Sequence, residues 1–372
     1  MKRILFITHD ASRTGAPLLL LYFIRWLKAK HSGYTVEVLA LRGGAIEGEF
    51  EHYADCYFEL NKPPSSRTGK IAWKVLNKIH KQIAAFFFNS TKEQLAARNY
   101  DLIYCNSVLT LEVGVYLKRK RQSKLLCHVH ELSTIISIYT PNFKTLIPAI
   151  DAFMGVSKIV CTNLVEMGID AEKVYLVYEY IEALPVSSHV PTDDRFVVGG
   201  AGTVHWRKGH DIFIQVANEI LKSDENIYFI WVGAINKVHE IIVREDIRKL
   251  GLQDRVTFIG EVDEPFSYFQ KFDVFFLPSR EDPFPLVCLE TGRLGKPIIC
   301  FDQAGGIPEL IEGGGGKIVP YLDVSAASKA ILHYYQHPED LKQDQKRIKD
   351  QVKSFTVDKA APQILGIINE LI

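Results

Sequence analysis

From Phe275 to Asp302 the chain reads FFLPSREDPFPLVCLETGRLGKPIICFD. An apolar run stops at Pro278, a polar loop follows, and apolar residues return at helical spacing from about Leu286. Gly295 and Pro297 close that segment, and a second apolar run begins at Ile298. Strand, loop, helix and strand in this order form a parallel unit, because a crossover helix is what carries the chain back to the start of the next strand.

The same alternation extends in both directions. Arg3 to Thr8, Thr35 to Leu41, Leu102 to Asn106, Leu125 to His130, Phe153 to Val156 and Val174 to Tyr178 read as buried parallel strands. A polar stretch with Pro185, Pro191 and Asp193-Asp194 follows. The pattern then restarts with Phe196 to Gly202, Tyr228 to Gly233, Val256 to Gly260, Val274 to Pro278, Pro297 to Phe301 and Lys317 to Val319. The expected fold class is α/β: two facing Rossmann-like domains with parallel sheets and an interdomain cleft, residues 1–185 and 186–356, since ligands of such sheets bind beyond the carboxyl ends of the strands. Residues 357–372 carry apolar side chains at helical spacing and are expected to pack as a terminal helix on the first domain.

Composition narrows the function. Lysine plus arginine and aspartate plus glutamate are each 44 in 372 residues, so no whole-chain charge favours nucleic acid as a partner. The six cysteines form no CxxC pair, which fits a reducing compartment. MKRILFITHD lacks the long apolar core of a signal peptide, and no run reaches the roughly 18 apolar residues of a membrane span, so a cytoplasmic protein is expected. Between Gly69 and Ala97, Lys70, Lys74, Lys78 and Lys81 recur at near-helical spacing before Phe86-Phe87-Phe88. That pattern fits a solvated helix face with an aromatic foot in the core. It also fits peripheral contact with anionic lipid at the inner membrane face through residues 70–88.

Three segments carry candidate chemistry. In the first half, HDASRTGAP leads into the apolar helix LLLLYFIRWL, placing Gly15 and Ala16 at a strand-to-helix turn where unpaired N–H groups can meet a phosphate; a plain tight turn is the competing reading. In the second half, the strand ending at Gly202-Thr203 is followed by the adjacent cations Arg207 and Lys208 and a helix opening near Gly209. This arrangement suits a diphosphate whose negative charge grows in the transition state. In the opening segment, Asp282 and Glu290 stand eight apart, one before the helix and one inside it. Two carboxylates so placed can accept hydrogen bonds from sugar and ribose hydroxyls; alternatively Asp282 caps the helix and Glu290 is a paired structural charge.

This pattern resembles the family 4 retaining glycosyltransferases of the GT-B fold, whose signature is two glutamates separated by seven residues. The resemblance implies that Asp282 meets hydroxyls of the transferred sugar and Glu290 the ribose. It implies that the loop from Pro283 through Phe284, Pro285, Leu286 and Val287 meets sugar and phosphates through backbone groups, and that Arg207 and Lys208 hold the diphosphate. Gly15 matches the family's first-domain glycine loop, and GGIPELI from Gly305 to Ile311 its following loop. Two positions depart from the family: Asp282 is one methylene shorter than the usual glutamate, with Glu281 beside it, and no arginine follows Gly202-Thr203.

LLCHVHEL brings His128, His130 and Glu131 to the end of a first-domain strand. The family resemblance places His130 near the transferred sugar, with His128 second. A metal reading lacks a third ligand and a DxD motif, so neither metal nor resident cofactor is expected. The implied reaction is metal-independent, retaining transfer from a UDP- or GDP-linked sugar to a glycan or lipid-linked hydroxyl, the first domain holding the acceptor and the second the donor. An epimerase or phosphorylase of the same fold, or a non-catalytic sugar-nucleotide-binding scaffold subunit, are the alternatives.

Overall fold

The computed structural model describes residues 1–60, 91–182, 195–223 and 226–372. The basic segment at 70–88 and the prolines and acids at 185–194 lie outside the described residues. Contacts group the chain into two compact units. One comprises Met1–Val156, Val160–Tyr178 and Val357–Ile372; the other comprises Ser157–Ile159 and Glu179–Thr356.

The first unit is built on a seven-stranded parallel sheet. Its strands are β1 (Lys2–Thr8), β2 (Tyr34–Ala40), β3 (Cys56–Glu59), β4 (Leu102–Cys105), β5 (Lys124–Val129), β6 (Ala152–Gly155) and β7 (Val174–Leu176), in spatial order β3-β2-β1-β4-β5-β6-β7. The sequence pattern names six of these and misses β3. CYFE is short, lies at the sheet edge and is half-buried throughout, so it lacks the apolar run that marks an interior strand. Helix α1 (Gly15–Lys30) buries Leu19, Leu20, Leu21, Phe23, Ile24, Trp26 and Leu27. A helix apolar around so much of its circumference needs cover on more than one side.

The second unit carries β8 (Phe196–Ala201), β9 (Ile227–Val232), β10 (Val256–Gly260), β11 (Val274–Leu277), β12 (Ile298–Phe301) and β13 (Gly316–Val319), all parallel, in order β10-β9-β8-β11-β12-β13. Helix α2 (His210–Ile220) follows β8 and α3 (Leu286–Arg293) follows β11. Its core includes Phe213 from α2, whose ring meets Phe229 at 5.4 Å and Trp231 at 5.2 Å edge to face. Each such pair adds about 1 kcal/mol beyond area burial.

Helix α4 (Val357–Leu371) returns to the first unit and covers the outer side of α1, burying Ala361, Ile364, Leu365 and Ile368. Trp26 Nε1 donates to Asp358 at 3.2 Å and Tyr34 Oη donates to Asn369 at 2.6 Å. Among the described residues no helix is long and apolar enough to cross a membrane.

Candidate functional site

In the second sheet β8 and β11 are neighbours, β9 and β10 extend from one and β12 and β13 from the other. At such a switch point the two loops that follow diverge and leave a crevice at the carboxyl ends of the strands. The loop after β8 runs from Gly202 to Gly209, and the loop after β11 from Pro278 to Pro285. These are the loops that hold the cations and the first acid.

The two loops are laced together. Arg280 N–H donates to the Arg207 carbonyl at 2.8 Å. Its guanidinium donates to the Trp206 carbonyl at 2.9 Å and to both oxygens of Asp211 at 2.9 and 2.7 Å. Lys208 Nζ donates to Asp282 Oδ2 at 2.6 Å, Ser279 Oγ donates to the same oxygen at 3.0 Å, and Arg207 lies 3.7 Å from Oδ1. Asp282 is only 4% exposed. Burial alone would raise its carboxyl pKa, but Lys208 and Arg207 hold it below the usual range. Asp282 therefore does not cap α3; it pairs with Lys208 and Arg207 and offsets one of their two charges. Glu281 beside it is buried as well.

Backbone fit fixes this arrangement. Gly209 sits at φ +69°, and a Cβ there would lie 1.9 Å from the Pro278 carbonyl oxygen, so the loops approach this closely only with glycine. On the other side Asp282 N–H donates to the Ala304 carbonyl at 2.7 Å and Gly306 N–H donates to Pro283 at 2.9 Å. A Cβ on Gly305 would meet the Asp282 carbonyl oxygen at 1.6 Å. The GGIPELI segment is thus a backbone splint for the acid loop.

Helix α3 begins after Pro285 with no side-chain cap and no acid in its first turn. The N–H groups of Leu286 and Val287 therefore open the helix with partial positive charge. Phe284 is buried and its ring stacks on Phe355 at 5.4 Å, so its side chain serves the core. Glu290 lies in the second turn of α3, half-buried, with no hydrogen bond or ion pair among the described residues. Desolvation pushes its carboxyl up to about 7. Glu290 is not a paired structural charge. Gly202 stands at φ +134° and its carbonyl accepts from Trp231 Nε1 at 2.9 Å. Thr203 is exposed, which leaves Arg207 and Lys208 as the cations of this loop.

The first sheet has its own switch point between β1 and β4. After β1, Asp10 accepts from Ser12 N–H at 3.1 Å and Ser12 Oγ at 2.7 Å, and Thr14 precedes α1 without capping it. A Cβ on Gly15 would meet nothing within 4 Å, so this glycine borders open space. After β4, Asn106 Nδ2 donates to the Ala16 carbonyl at 2.8 Å, and Asn106 Oδ1 lies 3.3 Å from His130 Nε2. Ser107, at φ +152°, donates to Glu131 Oε1 at 2.5 Å, and Glu131 Oε2 accepts from His130 N–H at 3.0 Å. The structure thus joins Ala16 to His130 through Asn106, a residue that sequence reasoning passed over although it directly follows β4.

His128 is buried, shares a 2.7 Å hydrogen bond with Tyr104 through Nδ1, and its Nε2 has no partner among the described residues. Burial drops its pKa to about 3. His130 is likewise held well below the usual imidazole value, by burial first and then by His128 and His9. Both rings are neutral at physiological pH. Among the described residues no group of three or more His, Cys, Asp or Glu side chains converges as a metal site.

Fold and sites together define an α/β protein with two switch-point clusters, one built from cations around a buried acid and one from neutral imidazoles with amide, hydroxyl and carboxyl groups around them. Family models match both halves: "Glycosyltransferase Family 4" over residues 14–182 and "Glycosyl transferases group 1" over residues 195–337. The chain belongs to this family, the group 1, family 4 glycosyltransferases. It is 38% identical over 188 residues to the O-antigen biosynthesis glycosyltransferase WclY of Escherichia coli, covering 48% of each chain. It is 27% identical over 183 residues to the lipopolysaccharide core biosynthesis mannosyltransferase LpcC of Rhizobium leguminosarum bv. viciae, covering 48% of this chain and 52% of that one. The chain thus spans about half the length of these curated relatives. The crystal structure of Anabaena HepE in complex with UDP and glucose matches with a TM-score of 0.81 at 20% identity, covering 100% of both chains. The fold is therefore GT-B-like.

Proposed function

We propose that this protein is a metal-independent, retaining glycosyltransferase that moves a sugar from a UDP- or GDP-linked donor to a glycan or lipid-linked hydroxyl in polysaccharide biosynthesis. The observation that carries the reading is the cation–acid cluster of Arg207, Lys208 and Asp282 beside the uncapped start of α3, with unpaired Glu290 one turn further on. Relatives named for O-antigen and lipopolysaccharide core biosynthesis, and a solved relative of like fold holding UDP and glucose, support the donor class and the pathway class.

In this reading the bond between the sugar's anomeric carbon and the diphosphate oxygen breaks, and its electron pair stays on the diphosphate. Arg207, Lys208 and the N–H groups of Leu286 and Val287 stabilise that charge as it grows. The acceptor oxygen bonds to the anomeric carbon from the same face, and its proton passes to the departing diphosphate. Glu290 accepts hydrogen bonds from ribose hydroxyls, Asp282 orients the cations and the transferred sugar, and Gly15 and Ala16 offer backbone donors to phosphate. His130 is assigned to the transferred sugar.

A thermal-shift screen with UDP, GDP, ADP and their sugar conjugates, with and without EDTA, tests the reading. One diphosphate is expected to stabilise wild type equally in EDTA and to lose most of that effect in Glu290→Ala. Product NMR with the matched donor is expected to show retained anomeric configuration. Stabilisation by none of the nucleotides would overturn the proposal, and stabilisation that requires a divalent cation would overturn its metal-independence.

A further inference from the structure

The last residue of α3 borders a cavity of about 420 Å³, within the size range of small-molecule sites. Its walls come from two helices that pack on each other, α3 and the helix Pro338–Val352, and from the chain at Ile181 and Thr356. Four cations line it: Arg293 from α3 and, from the second helix, Lys346, Lys349 and, just past its end, Lys353. The acids are Asp350 and Glu182, so positive charge is in surplus. Lys353 pairs with Asp350 at 2.6 Å. Lys346 and Lys349 make no hydrogen bond or ion pair among the described residues. The half-buried Arg293 guanidinium donates to the Glu182 carbonyl at 2.9 Å and meets no acid among those residues, so burial holds it below its ordinary pKa.

These cations are not needed to close α3. The Leu294 and Lys296 N–H groups both donate to the Thr291 carbonyl at 3.0 Å, and Gly295 N–H donates to the Gly292 carbonyl at 2.8 Å. Lys349 is seated rather than loose: a Cβ on Gly295 would lie 2.4 Å from its Cε, so its stem lies against the bare glycine. Lys346 and Lys349 stand three apart on one helix and share a face, with about 5–6 Å between Cβ atoms. Beneath them Ile181 and Val352 are buried, and Ile181 N–H donates to the Phe355 carbonyl at 3.1 Å. An anion held by partners from two helices must offer oxygens in more than two directions, which a phosphate group does and a planar carboxylate does not. We propose that this cavity binds a phosphorylated small molecule, its phosphate held by Arg293, Lys346 and Lys349 and its body lying over Ile181, Val352 and the lysine stems. The site is separate from the donor groups, because Arg293 ends α3 whereas Leu286 and Val287 open it, about 10 Å away along the helix. It stands or falls independently of the transfer reaction.

NMR of the full chain with its lysines ¹³C-methylated, a change that keeps their charge, reads the site directly. Lys346 and Lys349 are assigned by the signals lost in Lys346→Arg and Lys349→Arg. Inorganic pyrophosphate, titrated at constant ionic strength, is expected to shift both signals along one saturating curve. Lys342, on the same helix but outside the cavity and paired with Glu339 at 3.0 Å, is expected not to move. Arg293→Gln keeps every lysine and removes the cation of the facing helix. It is expected to weaken the affinity read on Lys346 and Lys349 about tenfold, the scale of one charge-assisted contact. If Arg293→Gln fails to fold, Lys349→Gln read on the Lys346 signal is expected to show the same loss. Shifts that do not saturate, shifts shared equally by Lys342, or an affinity unchanged by these substitutions would overturn the site. Co-sedimentation with phosphatidylglycerol vesicles identifies the source of the phosphate, and is expected to be the same for wild type and Arg293→Gln. Sedimentation that Arg293→Gln abolishes would assign the cavity to a lipid headgroup and overturn a soluble ligand.

Discussion

Both switch points gather polar side chains at strand ends, yet they solve burial in opposite ways. Around β8 and β11 the solution is charge: Asp282 is buried ionised because Lys208 and Arg207 meet it, and Arg280 is bidentate on Asp211. Around β1, β4 and β5 the imidazoles are neutral: His128 and His130 give up their protons, and amide and hydroxyl groups and the Glu131 carboxyl link them to their surroundings. Charged clusters suit a site where a diphosphate leaves, because their field is already aimed at developing charge. Neutral clusters suit discrimination among hydroxyl groups, where the pattern of donors and acceptors decides.

The sharpest way to break this contrast is to remove one charge. Lys208→Met leaves Asp282 buried with the Ser279 hydroxyl and a single, more distant cation, Arg207, and is expected to cost about 3–5 kcal/mol of stability at pH 7 and at least about 100-fold in turnover, read by urea unfolding and donor assays. The sign with pH follows from the depressed carboxyl of Asp282. Its contribution is full above the ordinary aspartate range and is lost as pH falls through the lower folded value. In the variant burial dominates and raises the Asp282 carboxyl above its unfolded value, so the sign reverses: the variant should gain stability as pH falls toward the ordinary aspartate range, where wild type begins to lose it.

Gly305→Ala attacks the same cluster through sterics alone, and is expected to cost about 3 kcal/mol. Its counterpart in the neutral region, Gly15→Ala, meets no atom within 4 Å and is expected to be stability-neutral or to stabilise by about 0.5 kcal/mol. Equal losses from the two would remove the splint role of Gly305.

Glu290 is expected to give an intermediate effect. Its folded value of about 7 lies above the ordinary glutamate value, so the native state holds the extra proton and stability falls as pH rises from about 4.5 to 7. Glu290→Gln should therefore stabilise the ligand-free protein by about 3 kcal/mol at pH 8 and leave it unchanged at pH 4. Nucleotide affinity in wild type should rise across pH 7 as the carboxylate forms, and be flat in the variant. The smallest change is Arg280→Lys, which exchanges a bidentate pair for a single contact. About 1 kcal/mol of stability is expected to go, with a three- to tenfold drop in turnover.

The strands were legible because buried parallel strands are continuous apolar runs, and the start of α3 was legible because Pro285 precedes the first periodic residue. β3 was not, since four half-buried residues at a sheet edge leave no such trace. Spacing put Asp282 and Glu290 on one loop and helix, but it carries no information on partners far away in the chain. Lys208 reaches Asp282 across 74 residues and Asp211 reaches Arg280 across 69. Asn106 and Arg280 escaped for the same reason: their roles lie in what they touch. A polar residue directly after a strand at the topological switch is the one signal that would have flagged Asn106 in advance.

Helix α4 makes the first unit discontinuous in the gene. A fragment ending near residue 182 would keep every strand of that unit yet strip the cover from α1, and Trp26 and Tyr34 would lose their partners on α4. Such a fragment would be sticky and prone to aggregate on expression. A dissection of this protein into separately produced halves must therefore graft residues 357–372 back onto the first, through a linker that replaces the whole second unit.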